Sequence, residues 1–383
     1  MVSPNYAVEL LLRTLKLYSP SRSEASVANM LKDACVNELG FEQAHIDSVG
    51  NVIAVKGTGD PKIMLCGHMD TVPGQIPVMA KDGYIYGRGA SDAKASLIAM
   101  LLAASEFQKQ RGTVIFAAVV DEEGNATGVK QLVKSKLPFD YAIFGEPSGI
   151  KNITVGYKGR LAIRLTCDVG NSTHASAPWL AKNSIEEIYD FWKAIKSEIS
   201  LTGIDSKSRG NSISCSLTEI TGGSSHNVTP QKCKITLDIR IPTTSSCDSV
   251  LEQLKAIIDR ISRDKSVKGT YRIEDKTEPF EANHSSPLVR ALSLSILDVC
   301  KTHAILVRKT GTGDMNVLGT AYDVPVVTYG PGEPHASHTA NEHVEIAEYV
   351  SSIDVFSRAL FHLSRIHINA KERTMAKDKV VQN

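Results

Sequence analysis

The sequence lacks several features that would assign it to a membrane or secreted class. None of its apolar runs approaches the roughly 20 residues that cross a bilayer, and its first residues lack the basic segment and uninterrupted apolar stretch of a secretory signal. Its seven cysteines are scattered and never form a C-x-x-C pair, which argues against a disulfide framework or a thiolate metal site. We therefore expect a cytoplasmic protein with buried free thiols and no membrane partner.

An excess of charge of one sign is also missing. The 43 Lys and Arg residues almost cancel the 42 Asp and Glu residues, so no global positive field exists that would collect nucleic acid. A hydrophobic fraction of 42% with 27 Gly and 15 Pro is typical of a globular protein and excludes disordered or fibrous classes. The 383 residues predict about two domains, because one hydrophobic core rarely organises so long a chain.

The order of predicted elements indicates how these domains are arranged. Strands alternate with helices at both ends of the chain, which is typical of an α/β layer. Between them the pattern changes to β-α-β-β-α-β, the order of a ferredoxin-like unit with both helices on one face of its sheet. We therefore predict a discontinuous α/β domain with the ferredoxin-like domain inserted into it. The predicted bounds are 1–157 and 280–368 for the α/β domain, 158–279 for the inserted domain and 369–383 for a flexible tail.

Polar side chains cluster where predicted strands end, which is where α/β sheets assemble their sites. These positions are His68 and Asp70, Asp92, Asp121 to Glu123, Glu146, and the turn HASHTANEH that contains His338. One His beside one carboxylate is ordinary on a surface, but five such clusters at strand ends are not. Carboxylates crowded into one cleft repel one another unless cations hold them, so the pattern indicates a metal site. Imidazole and carboxylate without cysteine suit Zn²⁺ or a similar divalent ion.

Spacing within two clusters predicts separate roles for neighbouring residues. His68 and Asp70 are two apart on an extended chain and point the same way, so Asp70 can accept the second ring N–H of His68. Adjacent Glu122 and Glu123 cannot face the same direction on an extended backbone. One of them is therefore expected to be a metal ligand and the other a general base.

Five motifs carry a resemblance to a known family. In order, they are GHMDTVPG, GRGASDAKASL, DEEGNATG, FGEPSG and SHTANE. This series resembles the co-catalytic zinc hydrolases that include acetylornithine deacetylase, succinyl-diaminopimelate desuccinylase and glutamate carboxypeptidase, over about residues 60 to 350. The resemblance implies a zinc-peptidase-like α/β catalytic domain, an inserted domain that dimerises, and two Zn²⁺ ions per subunit, with Co²⁺ able to substitute. Two such ions about 3.5 to 4 Å apart can share a hydroxide and polarise an amide carbonyl.

The same resemblance assigns roles to individual residues. It implies that the metal ligands are Asp92 bridging both ions, His68 and Glu146 on one ion, and Glu123 and His338 on the other. Glu122 would be the general base, and Asp70 would act with it at the catalytic centre. Where the family usually has Lys-Gly this chain has Lys94-Ala95, a change that removes no ligand.

Further motifs imply residues that meet the substrate. The segment GNSTHASAP nominates His174, which would reach the partner subunit's site and stabilise the tetrahedral oxyanion. Arg240 in DIRIP would clamp a substrate carboxylate with its planar fork of donors. Asn227 would orient the substrate, and Gly313 and Asp314 would lie in a Gly-rich substrate loop, where Asp314 could contact a cationic product. The alternative for each of them is an ordinary surface or turn residue, and for Asp314 that is a loop residue that forms an Asx-turn.

The choice of substrate rests on finer variants of these motifs. The segments HMDTVPGQIPV, YIYGRGASDAK, GYKGRL and RKTGTGDMN look most like the branch that releases lysine or ornithine from the amino-group carrier protein LysW. The resemblance thus implies a homodimeric hydrolase of lysine and arginine biosynthesis with LysW as its partner. Because such carriers are acidic, a local basic patch is expected. Its candidate residues are Lys94, Lys158, Arg160 and Arg240.

Three other functions are compatible with parts of this sequence. A small-molecule deacylase, such as acetylornithine deacetylase or succinyl-diaminopimelate desuccinylase, or a metallo-dipeptidase would carry the same metals and stays open. A non-catalytic relative predicts a missing ligand or base, and none is missing. A serine or cysteine hydrolase is disfavoured, because the chain has no G-x-S-x-G motif and Cys66 lies inside a predicted buried strand.

Overall fold

The computed structural model describes residues 2–201 and 210–381, with side chains described for 2–199 and 210–373. The chain divides into two compact units. The first consists of Met1–Val155, Ala282–Val307 and Val317–Asn383, and the second of Gly156–Glu281 and Arg308–Asn316. Residues 308–316 thus group with the second unit, whereas the sequence placed them in the α/β domain.

Helices and strands follow one another in this order within the described residues. The first half contains α1 (Pro4–Lys16), α2 (Ala25–Asn37), β1 (Gln43–Ile46), β2 (Val52–Thr58), β3 (Lys62–His68), β4 (Met79–Lys81), β5 (Tyr84–Tyr86), α3 (Lys94–Ser105), β6 (Gly112–Val119), α4 (Thr127–Ser135), β7 (Tyr141–Gly145), β8 (Asn152–Tyr157), β9 (Gly159–Asp168) and α5 (Ser184–Leu201). The second half contains β10 (Ser214–Gly222), β11 (Lys232–Ile241), α6 (Cys247–Asp264), β12 (Lys268–Thr277), β13 (Phe280–Glu281), α7 (Pro287–Cys300), β14 (Ile305–Lys309), α8 (Asp314–Ala321), β15 (Val326–Tyr329), β16 (His343–Glu345) and α9 (Ile346–Val381).

A large mixed sheet forms the centre of the first unit. Its strand order is β1-β2-β6-β3-β7-β15-β8. The four central strands, β6, β3, β7 and β15, all run parallel to one another. These strands are almost continuously apolar and buried, as parallel strands covered on both faces must be. The carboxyl ends of the four strands therefore meet at one edge of the sheet.

Helix α3 explains how one face of this sheet is covered. Its sequence KASLIAMLLAAS has no polar face, and every residue except Ser105 is buried. It packs against β3 and against helices α1 and α9. A helix that is apolar all round belongs in the middle of a unit, with other elements on both sides. A separate small sheet of order β16-β5-β4 completes the first unit.

The second unit confirms the predicted β-α-β-β-α-β order, here formed by β9, α5, β10, β11, α6 and β12. Its antiparallel sheet has the order β10-β11-β9-β12. Strand β11 alternates, so that Ile235, Leu237 and Ile239 are buried while their neighbours are more exposed. These residues pack in one core with Phe191 of α5 and Leu254 of α6. Each buried aliphatic side chain of this kind stabilises the fold by roughly 1.5 to 3 kcal/mol.

The last helix and the cysteines complete the fold. Helix α9 continues to Val381, so it runs into the segment 369–383 that was predicted to be a flexible tail, and no Pro or Gly interrupts its sequence. All seven cysteines are free thiols, and all except Cys300 are buried. In the described part of the chain, no helix combines the length and apolarity needed to cross a bilayer.

Candidate metal centre and active site

Two groups of three side chains in the first unit could each hold a metal ion. One group is His68, Asp92 and Glu146, and the other is Asp92, Glu123 and His338. Within each group the potential ligand atoms lie within 4.8 Å of one another. Imidazole nitrogens and carboxylate oxygens form a donor set that suits Zn²⁺ and similar divalent ions. Because Asp92 belongs to both groups, its carboxylate is placed where it could bridge two ions.

The parallel strands explain why these residues meet. His68 is the last residue of β3, and Glu146 directly follows β7. Glu123 lies in the turn after β6, His338 lies in the loop after β15, and Asp92 lies two residues before the start of α3. The strand-end clusters found in the sequence are therefore neighbours in space.

The ring of His68 is held from both sides. Its Nδ1 lies 2.9 Å from the backbone carbonyl oxygen of Asp70 and 3.4 Å from the Oδ1 atom of that residue. Its Nε2 lies 3.3 Å from Asp92 Oδ1 and 3.5 Å from Glu146 Oε1. Both potential acceptors for Nδ1–H belong to Asp70, the residue named from the sequence, and the carbonyl oxygen is the nearer of the two. This contact fixes the ring so that Nε2 faces the carboxylates.

The carboxylate of Asp70 also binds the neighbouring turn. Its Oδ1 accepts the backbone N–H of Glu122 at 3.1 Å, and its Oδ2 accepts the backbone N–H of Glu123 at 3.1 Å and the Ser21 hydroxyl at 2.7 Å. Asp121 has φ +60°, so the chain turns here and is not extended as the sequence argument assumed. The two adjacent glutamates therefore lie in one turn, and the buried Asp70 carboxylate holds this turn in place by accepting both of their backbone N–H groups.

Burial and neighbouring charges shift the pKa values of Glu122 and His338. Burial raises the pKa of Glu122 to about 7; His68 opposes this rise, and the carboxylates of Glu123 and Asp92 add to it. A general base works best with a pKa near the working pH. Hydrogen bonds from His338 to Asp92 and Glu123 raise the pKa of His338 to about 10. The Nε2 atom of His338 lies 2.7 Å from Glu123 Oε1 and 3.3 Å from Asp92 Oδ2.

The same contacts shift the pKa values of the shared ligand and of His68. Burial alone would raise the pKa of Asp92, but hydrogen bonds from His338 and His68 hold it well below its usual range. Burial alone would lower the pKa of His68, but hydrogen bonds to Asp70 and Asp92 raise it well above its usual value. Protons on the histidines thus neutralise the carboxylates, and divalent cations could replace those protons. By this test of charge and donor type, the residues fit a pair of divalent ions.

In the second unit, two predicted substrate residues lie on adjacent loops. The Ala175 N–H donates to the Asn227 carbonyl at 2.8 Å, which joins the loop of His174 to that of Asn227. His174 is exposed, and its Nδ1 accepts the Ser176 N–H at 3.2 Å. In the neutral ring, this arrangement leaves the proton on Nε2, from which it can be donated. A donor in this position suits the stabilisation of an oxyanion.

Arg240 also lies in the second unit, near the end of β11. Its Nε and Nη2 atoms contact the carboxylate of Asp238 at 2.6 and 3.3 Å, and its Nη1 donates to Thr312 Oγ1 at 3.1 Å. Gly313 and Asp314 follow Thr312, and Asp314 is only 2% exposed. In this structure Arg240 is thus paired with the carboxylate of Asp238 in its own chain, and Asp314, the first residue of α8, is buried.

The predicted basic patch is wrong for two of its four members. Lys94 is fully buried, its Nζ donates to the Leu17 carbonyl at 2.9 Å, and burial lowers its pKa to about 8. Lys158 is buried as well, and its Nζ donates to the Ser212 carbonyl at 2.5 Å. Both lysines bind backbone carbonyls inside the fold, so neither contributes to a surface patch.

Comparison with known proteins identifies the family to which this chain belongs. The model of peptidase family M20/M25/M40 matches residues 64–362. This chain belongs to that family. Its members are metal-dependent hydrolases, so the sequence resemblance and the predicted enzyme class are confirmed.

Relatives with assigned names resemble this M20/M25/M40 chain over nearly its full length. A LysW-lysine/LysW-ornithine hydrolase of Saccharolobus solfataricus is 31% identical over 357 residues, which cover 93% of this chain and 96% of the relative. A Pyrococcus furiosus protein that carries the same name provisionally is 34% identical over 366 residues, with 95% and 99% covered.

Solved structures of other M20-type enzymes share the fold. A tripeptidase from Staphylococcus aureus has a TM-score of 0.81 at 22% identity, covering 95% of this chain and 100% of that one. A dinuclear metal-binding M20 peptidase from Bacillus subtilis has a TM-score of 0.72 at 14% identity, covering 94% and 98%. The predicted fold, an α/β catalytic domain with an inserted second domain, is confirmed.

Three residues that contact the site of this family member were missed by sequence reasoning. Glu24 accepts the N–H of Asp121 at 3.1 Å and so supports the turn of the two glutamates. Glu342 pairs with Arg88 at 2.7 Å inside the first unit. Glu342 lies in the motif SHTANE and Arg88 lies in the motif GRGASD. Their position inside these motifs was the signal from which a role at the site could have been predicted. Glu24 has no comparable signal.

Proposed function

We propose that this M20/M25/M40 enzyme uses two Zn²⁺ ions to hydrolyse the amide that links lysine, ornithine or both to a LysW-type amino-group carrier protein. The observation that carries this proposal is the near-complete alignment with relatives of that name, over 93% and 95% of this chain. All five candidate ligands of the two groups lie together in the first unit, which supports a catalytically competent member of the family.

The proposed chemistry divides between the ions and the protein. Bound divalent ions supply Lewis acidity, which polarises the scissile carbonyl and makes water easier to deprotonate. Glu122 is the proposed base because its carboxylate belongs to neither ligand group, while its backbone N–H is fixed by Asp70 at 3.1 Å. It takes a proton from the attacking water and delivers it to the leaving amine nitrogen. Both transfers need a carboxyl group whose pKa lies near neutrality, as that of Glu122 does.

The enzyme is proposed to act as a homodimer through its second unit. Trp179 and Leu180, close to His174 in sequence, are 78% and 71% exposed. Tyr189 on α5 and Ile220 on β10 are also exposed, and β10 is an edge strand of its sheet. Exposed apolar side chains beside an open strand edge are typical of a protein interface. In the dimer, Nε2 of His174 would donate to the oxyanion in the partner subunit's site.

Steady-state kinetics on metal-reconstituted protein test the substrate. The panel comprises carrier-linked lysine, carrier-linked ornithine, acetylornithine, succinyl-diaminopimelate and a dipeptide, with Glu122→Gln as the inactive control. We expect kcat/KM to be highest for a carrier-linked substrate. Efficient turnover of acetylornithine, succinyl-diaminopimelate or the dipeptide, with none of either carrier-linked substrate, would contradict the carrier assignment and favour a small-molecule deacylase or dipeptidase.

A further inference from the structure

A buried ion pair lies beside the candidate metal centre. Glu342 is 1% exposed on its side chain and Arg88 is 9% exposed, and Arg88 Nη1 donates to Glu342 Oε2 at 2.7 Å. Arg88 follows β5, whereas Glu342 directly precedes β16, so the pair joins two distant parts of the chain. A buried charge pair of this kind persists only when its remaining donors and acceptors are also satisfied.

The second oxygen of Glu342 organises the backbone that carries Asp92. Its Oε1 accepts the N–H groups of Gly89 at 3.1 Å, Ser91 at 3.1 Å and Asp92 at 2.9 Å. The chain from residue 89 to residue 92 therefore wraps around one carboxylate oxygen. Hydrogen bonds to an ionised acceptor are about twice as strong as neutral ones, so three of them fix this loop firmly.

Arg88 extends the same network to the other ligand-bearing segments. Its Nε donates to the Gly74 carbonyl at 2.8 Å, and its Nη1 also donates to the Thr339 carbonyl at 3.1 Å. Gly74 lies in the loop that follows His68, and Thr339 directly follows His338. One ion pair thus contacts three segments. One contains Asp92, one contains His338, and one is the loop after the strand that ends in His68.

We propose that Arg88 and Glu342 are positioning residues that hold the Asp92 carboxylate between the two ligand groups. The proposal rests on the proposed metal site, since it assigns the pair its purpose there. Neither residue is a ligand, and both act through the backbone that they bind. Outer partners that orient metal ligands typically contribute 10- to 100-fold to metal affinity, which sets the expected size of the effect.

Glu342→Gln tests this role, because glutamine keeps the size of the side chain but loses its charge. We expect Zn²⁺ titrated into metal-free protein to bind about 10 to 100 times more weakly than to the wild type. The visible absorption of the Co²⁺-loaded variant should also shift, because the ligands around the ion are rearranged.

Asp47→Asn is the matched control. The Oδ1 of Asp47 accepts three backbone N–H groups, from Val49, Gly50 and Asn51, at 2.9 to 3.0 Å. This loop carries no candidate ligand. Asp47→Asn should therefore lower the thermal stability but leave the Zn²⁺ affinity and the Co²⁺ spectrum unchanged.

The outcomes separate the two proposals. If the wild type binds no divalent ion, the proposed function is wrong. If the wild type binds and Glu342→Gln matches it in Zn²⁺ affinity and Co²⁺ spectrum, the positioning role is wrong. Should Glu342→Gln fail to fold, Arg88→Lys replaces it, because lysine keeps the charge but cannot contact Glu342, Gly74 and Thr339 together. Arg88→Lys should weaken Zn²⁺ binding, and a wild-type affinity would overturn the proposal.

Discussion

Loading the metal centre should release about two protons per chain near neutral pH. Hydrogen bonds to carboxylates raise the pKa of His338 to about 10 and that of His68 well above its usual value. Both rings are therefore charged in the metal-free protein at neutral pH. Each must be a neutral imidazole to bind a metal ion, so each gives up one proton when the ions bind.

The magnitude follows from this competition between proton and metal. At a pH below the pKa of a histidine ligand, the metal must displace one proton from that ring. The apparent metal affinity therefore falls about tenfold for each unit by which the pH is lowered. With one proton displaced at each of two ligand groups, the product of the two binding constants should rise about 100-fold per pH unit toward the histidine pKa values. The direction is fixed by the sign of the shifts, since a raised histidine pKa always opposes metal binding at lower pH.

Isothermal titration of metal-free protein with Zn²⁺, repeated in buffers of different ionisation enthalpy, counts the released protons. The matched control is His338→Ala, which keeps the ligand group of His68 and should bind one ion and release about one proton. If the wild type binds two ions while the proton count stays near zero, the histidines are not charged in the metal-free protein, which refutes the raised pKa values of His68 and His338.

Four further predictions concern single residues. Glu122→Gln should lower turnover roughly 10²- to 10⁴-fold while metal content, measured by elemental analysis, stays unchanged; loss of metal with retained activity would make Glu122 a ligand. Asp92→Ala should lose both ions, and two ions per chain in that variant would exclude a bridging role. Mixing inactive His174→Ala and Glu122→Gln chains should restore part of the activity, and heterodimers without activity would place His174 in its own subunit's site or outside catalysis. Burial lowers the pKa of Lys94 to about 8 in the folded protein, from 10.5 in the unfolded chain. Between these two pH values only the unfolded chain keeps the lysine protonated, so the free energy of unfolding should increase as the pH rises through this range. Lys94→Met should remove that gain in denaturant unfolding, and an unchanged pH dependence would show that Lys94 titrates normally.

The candidate ligands could be predicted because the information about them is local. His68 and Glu146 stand at the ends of strands whose apolar runs are visible in the sequence, and parallel strands bring such ends to one edge. The β-α-β-β-α-β order of the second unit could be predicted for the same reason, because apolar residues recur in its segments at the spacing of a strand or of a helix.

Contacts between distant segments could not be predicted in this way. Arg88 and Glu342 are separated by 254 positions, and neither residue type predicts burial. The turn at Asp121 left only an indirect trace in Gly124, where a Cβ atom would lie 2.3 Å from Asp121 Oδ1. Lys94 was taken for a surface residue, although the helix that it begins has no polar face to carry it.

The order of strands in the large sheet differs from their order in the chain, so strands that pair in the folded protein are translated at different times. Strand β15 lies between β7 and β8 in the sheet but is synthesised later, with about 180 residues separating Gly145 from Val326. At the usual rate of translation this interval lasts roughly 10 to 40 s. During that time the strand that pairs with one edge of β7 has not yet been synthesised. The residues of the first ligand group have all been synthesised once Glu146 has been added, whereas the second group waits for His338. The two halves of the metal centre are therefore completed at different times in the life of the nascent chain.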